Sequence, residues 1–240
     1  LVKEKTMHKF HKLLASNKGR GSFRAEQGAE AATLYLYDAI VDTPEDAAWF
    51  GGIDPTTFIA ALNSIDAPVI HLRVNSPGGS VFAARAMEQA IREHKAEIVV
   101  HVDGYAASAA SFLIMAAKRV EMAAGAFLMI HKAWTFAAGN ADDLKSMSDL
   151  LGKIDESLVT TYVARSELDP DHVRAAMAAE TWYSAEEAVA AGLADAVFDN
   201  APKATAWDLS IYENAPQAHQ PAAEDADRRA HRDRAAALML

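Results

Sequence analysis

The run Glu97-Ile-Val-Val-His-Val-Asp103 is followed at once by Gly104, then by small residues, then by an apolar stretch that ends at Ala117. This succession constrains the fold more than any other part of the chain. The β-branched residues favour a strand, the glycine interrupts it, and the segment after it has helical character. Ser108 therefore stands at a strand-to-helix corner. At such a corner the free backbone N–H groups and the helix dipole stabilise negative charge. A nucleophilic serine needs that environment, because its attack on a carbonyl creates an oxyanion. A lone serine in an alanine-rich helix is usually a packing residue, as Ser111 is read here. Ser108 gains meaning only from other groups brought near it.

The rest of the chain alternates strands and helices. Thr33 to Tyr37 alternates as a first strand, and residues 38–53 read as loop. Asp54-Pro55 is an N-cap followed by proline at the first helical position, with a helix to about Ile65. Pro68 to Val74 is a second strand with Leu72 and Val74 on one face. Asn75-Ser-Pro-Gly-Gly-Ser-Val81 is a tight turn whose glycines allow close backbone approach. A helix to about His94 follows, with Phe82, Ala86, Ala90 and Ile91 as its expected apolar stripe. After the Ser108 corner, Arg119–Met122 and Ala126–Ile130 are short strands split by Gly125. Residues 141–166 form the longest helical pattern, with Leu144, Met147, Leu151, Ile154, Leu158 and Tyr162. That helix carries more charge than a core helix would, so it is expected to project. Asp169-Pro170 starts another helix, Ser184-Ala-Glu-Glu187 is a capping box, Gly192 is a C-cap, and residues 194–198 form a last strand. This order predicts an α/β domain with mostly parallel pairing. The expected division is a basic extension over 1–30, a domain over 31–200 and an Ala- and charge-rich tail over 201–240. Phe10, Leu13 and Leu14 could supply one amphipathic turn in the first part, Met7 is a candidate natural start, and residues 222–240 read equally as an isolated helix or a disordered tail.

Composition narrows the function. The net charge of -10 argues against a general nucleic-acid binder. The absence of cysteine excludes a thiol nucleophile, a disulfide framework and a Cys-based zinc site. No apolar run reaches membrane-spanning length, and residues 1–20 lack the continuous apolar centre of a secretory signal. The nine histidines show no HExxH spacing, so no metal is expected. His71 and His101 fall within strands and read as satisfied or surface residues.

Three features converge on one edge of a parallel sheet, where strand C-termini gather and ligands bind. Ser108 follows one strand, His131 ends another 23 residues later, and Gly78-Gly79 close a third. A serine needs a base near neutrality, and the base needs an acceptor to fix its tautomer.

These residues resemble a known family. Asn75-Ser-Pro-Gly-Gly-Ser80, Gly104-Tyr-Ala-Ala-Ser108, Met129-Ile-His131 and Ser184-Ala-Glu-Glu-Ala-Val189 with Gly192-Leu-Ala-Asp195 resemble the ClpP-like serine peptidases over roughly residues 31–199. Trp49-Phe-Gly-Gly52, Asp103-Gly-Tyr-Ala-Ala-Ser-Ala-Ala110 and Glu180-Thr-Trp-Tyr183 are more similar to the ClpP-like head maturation (prohead) proteases of tailed bacteriophages. The resemblance implies a ClpP/crotonase-like fold in which residues 141–166 form a protruding handle helix. It implies Ser108 as nucleophile, His131 as general base, and an oxyanion hole from the backbone N–H of Gly78 or Gly79 with that of Ala109. The family's aspartate falls, without gaps, on Glu180; the alternatives for that role are Asp171 or a backbone carbonyl. Trp134 and Phe136 suit either a peptide groove or core packing.

The implied function is a serine endopeptidase that cleaves phage capsid or scaffold protein during procapsid maturation, without cofactor or metal. The implied assembly is a homo-oligomeric ring. Nothing in the sequence marks a docking site for an ATP-dependent unfoldase, and neither nucleic acid nor membrane is an expected partner. The implied location is the bacterial host cytoplasm, inside a procapsid or prophage-encoded. Two other classes stay open: an inactive ClpP-fold assembly subunit, and an acyl-CoA enzyme of the crotonase type.

Overall fold

The computed structural model describes residues 9–166, 168–199 and 206–216. In chain order these form α1 (Lys9–Asn17), β1 (Ser22–Glu26), β2 (Ala31–Tyr37), α2 (Pro44–Phe50), α3 (Pro55–Asn63), β3 (Val69–Ser76), α4 (Val81–Glu93), β4 (Glu97–Ala107) and α5 (Ala109–Leu113). A 3-10 turn at Ile114–Ala116 leads to β5 (Arg119–Ala123), β6 (Phe127–Ile130), α6 (Ala141–Ser166), α7 (Pro170–Ala178), β7 (Thr181–Ser184), α8 (Ala185–Ala190) and β8 (Ala196–Phe198). The main sheet runs β1-β2-β3-β4-β5-β8, parallel except where β1 meets β2. The architecture is the expected mostly parallel α/β fold.

β4 carries the geometry of the site. Val99–Val102 pair with β5, whereas Tyr105–Ala107 pair with β6. The strand thus leaves the main sheet near Gly104 and enters a smaller layer of β6 and antiparallel β7. β3 follows it through a register shift between Val74 and Ser76. The buried Asn75 side chain bridges that irregularity, its Oδ1 accepting the Tyr105 N–H at 3.2 Å. A bulge bends a strand locally, and here it bends two together.

Period-two alternation sorts the sheet faces. Leu34, Leu36, Leu72, Val74, Val100 and Val102 point into the core with Phe58 and Leu62 of α3, Met87 and Ile91 of α4, and Phe112 of α5. The opposite face is polar. Arg73 donates from Nε to Asp103 at 2.8 Å, and the Tyr37 hydroxyl donates to the same carboxylate. His71 Nδ1 and His101 Nε2 lie 2.9 Å apart, with His101 Nδ1 3.3 Å from Glu121. These histidines are held on the sheet surface, as expected.

The local stop and start signals hold. Asp54 and Asp169 cap α3 and α7 ahead of proline, and Ser184 with Glu187 forms a reciprocal capping box. Gly192 has φ +72 just after α8. Only Leu158, Val159, Tyr162 and Ser166 of the 26-residue α6 are buried, so its first half projects.

Four expectations need correction. The buried face of α4 is Ala83, Ala84, Met87, Glu88 and Ile91 rather than the stripe from Phe82; Phe82 is 65% exposed. Glu88 is buried there because Arg85 and Arg92 both pair with it, at 2.5 and 2.8 Å. Residues 38–53 are not all loop, since Thr43 caps α2 with proline at its start. β7 was hidden in the short Thr-Trp-Tyr-Ser run, too brief to show alternation.

The fourth concerns the boundaries at 30 and 200. α1 and β1 belong to the fold, and residues 206–216 pack with them. Leu13, Trp207, Leu209, Ile211, Tyr212 and Ala215 form a second core over Tyr105, Ala107 and Met129. Each segment is too short to declare an apolar face alone. Residues 1–8 and 217–240, including the helix considered at 222–240, lie outside the described residues.

Asn17 joins the two segments. Its Nδ2 donates to Leu13 O at 2.9 Å and Asp208 O at 3.0 Å, and its Oδ1 accepts the Asp208 N–H at 2.7 Å. Asn17→Ala leaves a buried donor and buried carbonyls without partners, which costs about 1–3 kcal/mol. The expected result is a lowered urea midpoint with an unchanged slope. An unaltered midpoint would show that this clasp contributes nothing.

Candidate active site

Parallel register brings the serine and the histidine together. Tyr105, Ala106 and Ala107 pair with Phe127, Leu128 and Met129. Ser108 follows one strand and His131 lies just past the end of the other, so both emerge from the same edge. The Ser108 N–H donates to Met129 O at 2.9 Å, which locks the corner to β6. Ser108 Oγ then stands 2.7 Å from His131 Nε2.

The corner is strained. Ser108 has φ 54 and ψ −120, a conformation side chains other than glycine rarely adopt. Its hydroxyl does not cap α5 and points to the histidine instead. Ser111 secures the strained backbone: its N–H and its hydroxyl both donate to Ser108 O, at 2.9 and 2.6 Å. Ser111 Oγ also bonds the Tyr162 hydroxyl of α6 at 2.7 Å. Ser111 was read as a packing residue; its spacing of three from Ser108 was the signal that could have revealed this role.

Gly78 and Gly79 pack against the corner. A Cβ on Gly78 would stand 2.4 Å from Ala107 O and 2.7 Å from Ser108 Cβ. Gly79 has φ +149, and a Cβ there would meet Ile40 O at 1.9 Å. The Gly78 N–H is engaged by Ser76 Oγ at 3.2 Å. Among the described residues the Gly79 N–H and the Ala109 N–H, first in its helix, have no bonded acceptor.

β7 brings Glu180 to the same place. Thr181 pairs with Ile130, so Glu180 lies across from His131, one step beyond the ladder. Its carboxylate does not meet the imidazole. Oε1 accepts the Asn214 N–H at 2.7 Å and the Trp182 Nε1–H at 3.4 Å. Glu180 also has φ 49, a strain of about 1–3 kcal/mol. Asn214 Nδ2 offsets it by donating to Ala179 O at 2.8 Å and Glu180 O at 3.3 Å. Asp171 is engaged elsewhere, with Arg174 at 2.7 Å.

The site opens into a cleft of about 340 Å³. Phe82, Trp134, Met147, Leu151 and Ile154 contribute apolar walls around Ser108 and His131. Trp134 therefore faces the cleft, while Phe136 stays exposed. The exposed Phe82 and the projecting face of α6 are cleft residues that a search for core periodicity assigned to packing. No cluster of three or more metal-ligating side chains occurs among the described residues.

The family model for Clp protease matches residues 56–201. This chain belongs to the Clp protease family. It is 31% identical over 184 residues to an ATP-dependent Clp protease proteolytic subunit of Deinococcus radiodurans, covering 73% of this chain and 88% of that relative. It is 30% identical over 139 residues to the protein of the same description from Bacteroides thetaiotaomicron, covering 57% of this chain and 63% of the relative. A Clp protease proteolytic subunit 1 of Prochlorococcus marinus is 30% identical over 135 residues, 55% of this chain and 69% of its own. The Clp protease match includes Ser108, His131 and Glu180 and ends before residues 206–216.

The imidazole is neutral at ordinary pH. Burial, with a smaller effect from Lys9, pushes the His131 pKa down from 6.5 to about 4. A neutral ring is the form that accepts a proton. Because the folded pKa lies below the unfolded value, the unfolded chain binds the proton first as pH falls. This group's contribution to stability is thus complete above pH 6.5 and is withdrawn progressively down to about 4. Phosphonylation of Ser108 by a fluorophosphonate, with loss of fluoride, should hold its rate through mildly acidic pH and lose it toward pH 4. Rate against pH checks this; an acid limb at 6.5 would contradict the buried, neutral ring.

Proposed function

We propose that this chain is a ClpP-type serine peptidase with Ser108 as nucleophile and His131 as general base. The observation that carries the reading is the 2.7 Å contact between Ser108 Oγ and His131 Nε2 at a strained strand-to-helix corner. Ser108 Oγ attacks the scissile carbonyl as Nε2 takes its proton. The oxyanion is held by the backbone N–H groups of Gly79 and Ala109, since the Gly78 N–H is engaged by Ser76. His131 returns the proton to the leaving amine, and water, activated by the same imidazole, releases the acyl group. The site chemistry calls for no metal or cofactor. Glu180 is the third member, acting once its carboxylate turns from Asn214 toward His131.

The substrate is a polypeptide, bound by backbone hydrogen bonds in extended form. The apolar cleft favours an apolar side chain beside the scissile bond. The motifs around Trp49, Ser108 and Trp182 support a narrower role as a head maturation protease acting on phage capsid or scaffold protein, and a ring of identical subunits in the host cytoplasm or procapsid fits that role. The engaged carboxylate of Glu180 favours one competing reading, an inactive assembly subunit. The crotonase-type reading gains nothing from a paired serine and histidine, which acyl-CoA chemistry of that kind does not require.

Intact-protein mass spectrometry after fluorophosphonate treatment separates these readings. One adduct on the wild type is expected, absent from Ser108→Ala. His131→Ala should slow this phosphonylation by about 100-fold or more. Labelling that persists in Ser108→Ala would remove Ser108 as the nucleophile.

A further inference from the structure

Residues 206–216 follow the Clp protease match and pass directly over the site. The Tyr212 ring stands edge-on to His131 with centroids 5.6 Å apart. Its hydroxyl donates to Pro77 O at 2.6 Å, beside Ser108. Ile211 and Tyr212 form part of the wall of the cleft that holds Ser108. Two residues on, Asn214 takes the Glu180 carboxylate. The segment thus fills space over the serine-histidine pair and engages the Glu180 carboxylate at the same time.

We propose that residues 206–216 form an intramolecular strap that keeps the peptidase site latent, with Tyr212 standing where substrate backbone must pass and Asn214 holding Glu180 away from His131. The inference rests on the peptidase reading above.

The strap is anchored most deeply at its start. Trp207 is 1% exposed and donates from Nε1 to Asn75 O at 3.1 Å. Asp208 is clasped by Asn17, and Ala206 O accepts from Arg20 at 3.1 Å. Beyond Tyr212 the holds are mixed, since Ala215 is buried in the second core. Glu213 and Asn214 are exposed, and the Lys9–Glu213 ion pair is a 3.9 Å surface contact of little strength. Lifting the end that touches the chemistry while Trp207 stays seated gives up the Tyr212–Pro77 bond and the burial of Tyr212 and Ala215. Lifting removes the tyrosine from the cleft and frees the carboxylate. It also withdraws the Asn214 bonds that hold Glu180 at positive φ, so the side chain lying across from His131 can turn toward the ring. Occlusion and misplacement of the third member are relieved by one movement.

The test is the second-order rate of phosphonylation by a fluorophosphonate, measured on the full chain and on Tyr212→Ala, Asn214→Ala and the double variant Asn214→Ala/Glu180→Gln, with thermal melts to verify folding. A lifted state populated at 1–10% predicts rates raised about 10- to 100-fold in both single variants. The double variant should lose most of that gain, since the freed carboxylate is absent. Folded single variants that label at or below the wild-type rate would overturn the strap and make Tyr212 a support for His131. If Tyr212→Ala does not fold, the exposed Asn214→Ala decides alone. Absence of labelling in every form would overturn the peptidase reading itself, and the strap with it.

Discussion

Parallel pairing of Tyr105–Ala107 with Phe127–Met129 sets the position of everything chemical in this protein. Neighbouring parallel strands of equal phase end together. The residue after one and the residue just past the end of the other must therefore meet at the same edge. Ser108 and His131 occupy those places. The antiparallel β7 adds a third position, because its first residue pairs with Ile130 and the residue before it lies across from His131. The main sheet could vary considerably without disturbing this arrangement, provided β4 still bends at Gly104 into the smaller layer. Asn75 is what permits the bend, supplying from its side chain the acceptor that the shifted β3 backbone cannot.

The same layer explains how the corner can be strained and still persist. Positive φ at Ser108 is unfavourable alone, but the residue is tied on both sides. Its N–H is bound to Met129 O, and its carbonyl receives two donors from Ser111. Ser111 is in turn fixed by Tyr162, from the buried end of α6. In the peptidase reading proposed above, a hydroxyl held this way is positioned before substrate arrives, so little reorganisation is needed during reaction. The projecting half of α6 contributes apolar surface to the cleft, and its buried half supports Ser108.

Much of this was legible because its signals are local. Proline after a capping aspartate, the Ser184–Glu187 box, and alternating apolar residues in β2 and β3 are written within a few positions of one another. Ser108, His131 and the glycine turn were legible for a related reason: each marks the end of a strand, and parallel topology gathers strand ends. The rest depends on distance. Asn17 and Asp208 are 191 positions apart, and neither segment carries a pattern that announces the other. The apolar stripe of α4 was misread because a buried glutamate replaces a hydrophobe, and the reason lies in Arg85 and Arg92. Glu180 shows both sides of the matter. Its place on the ladder follows from its position before β7, but the direction of its side chain follows from Asn214.

Two described residues other than glycine have positive φ, and both stand at this site. They are held differently. Ser108 is tied by groups within the core, which do not change as long as the fold persists. Glu180 is tied by Asn214, an exposed residue in a segment outside the Clp protease match. Strain secured from within is a permanent feature of the framework around Ser108. In the strap proposed above, strain secured by Asn214 is released when residues 212–214 move. Ser108 and His131 are thus fixed by the core, while the direction of the Glu180 carboxylate depends on where residues 212–214 lie. In the peptidase reading proposed above, control is best placed on such a group, since moving it alters activity without dismantling the serine-histidine pair.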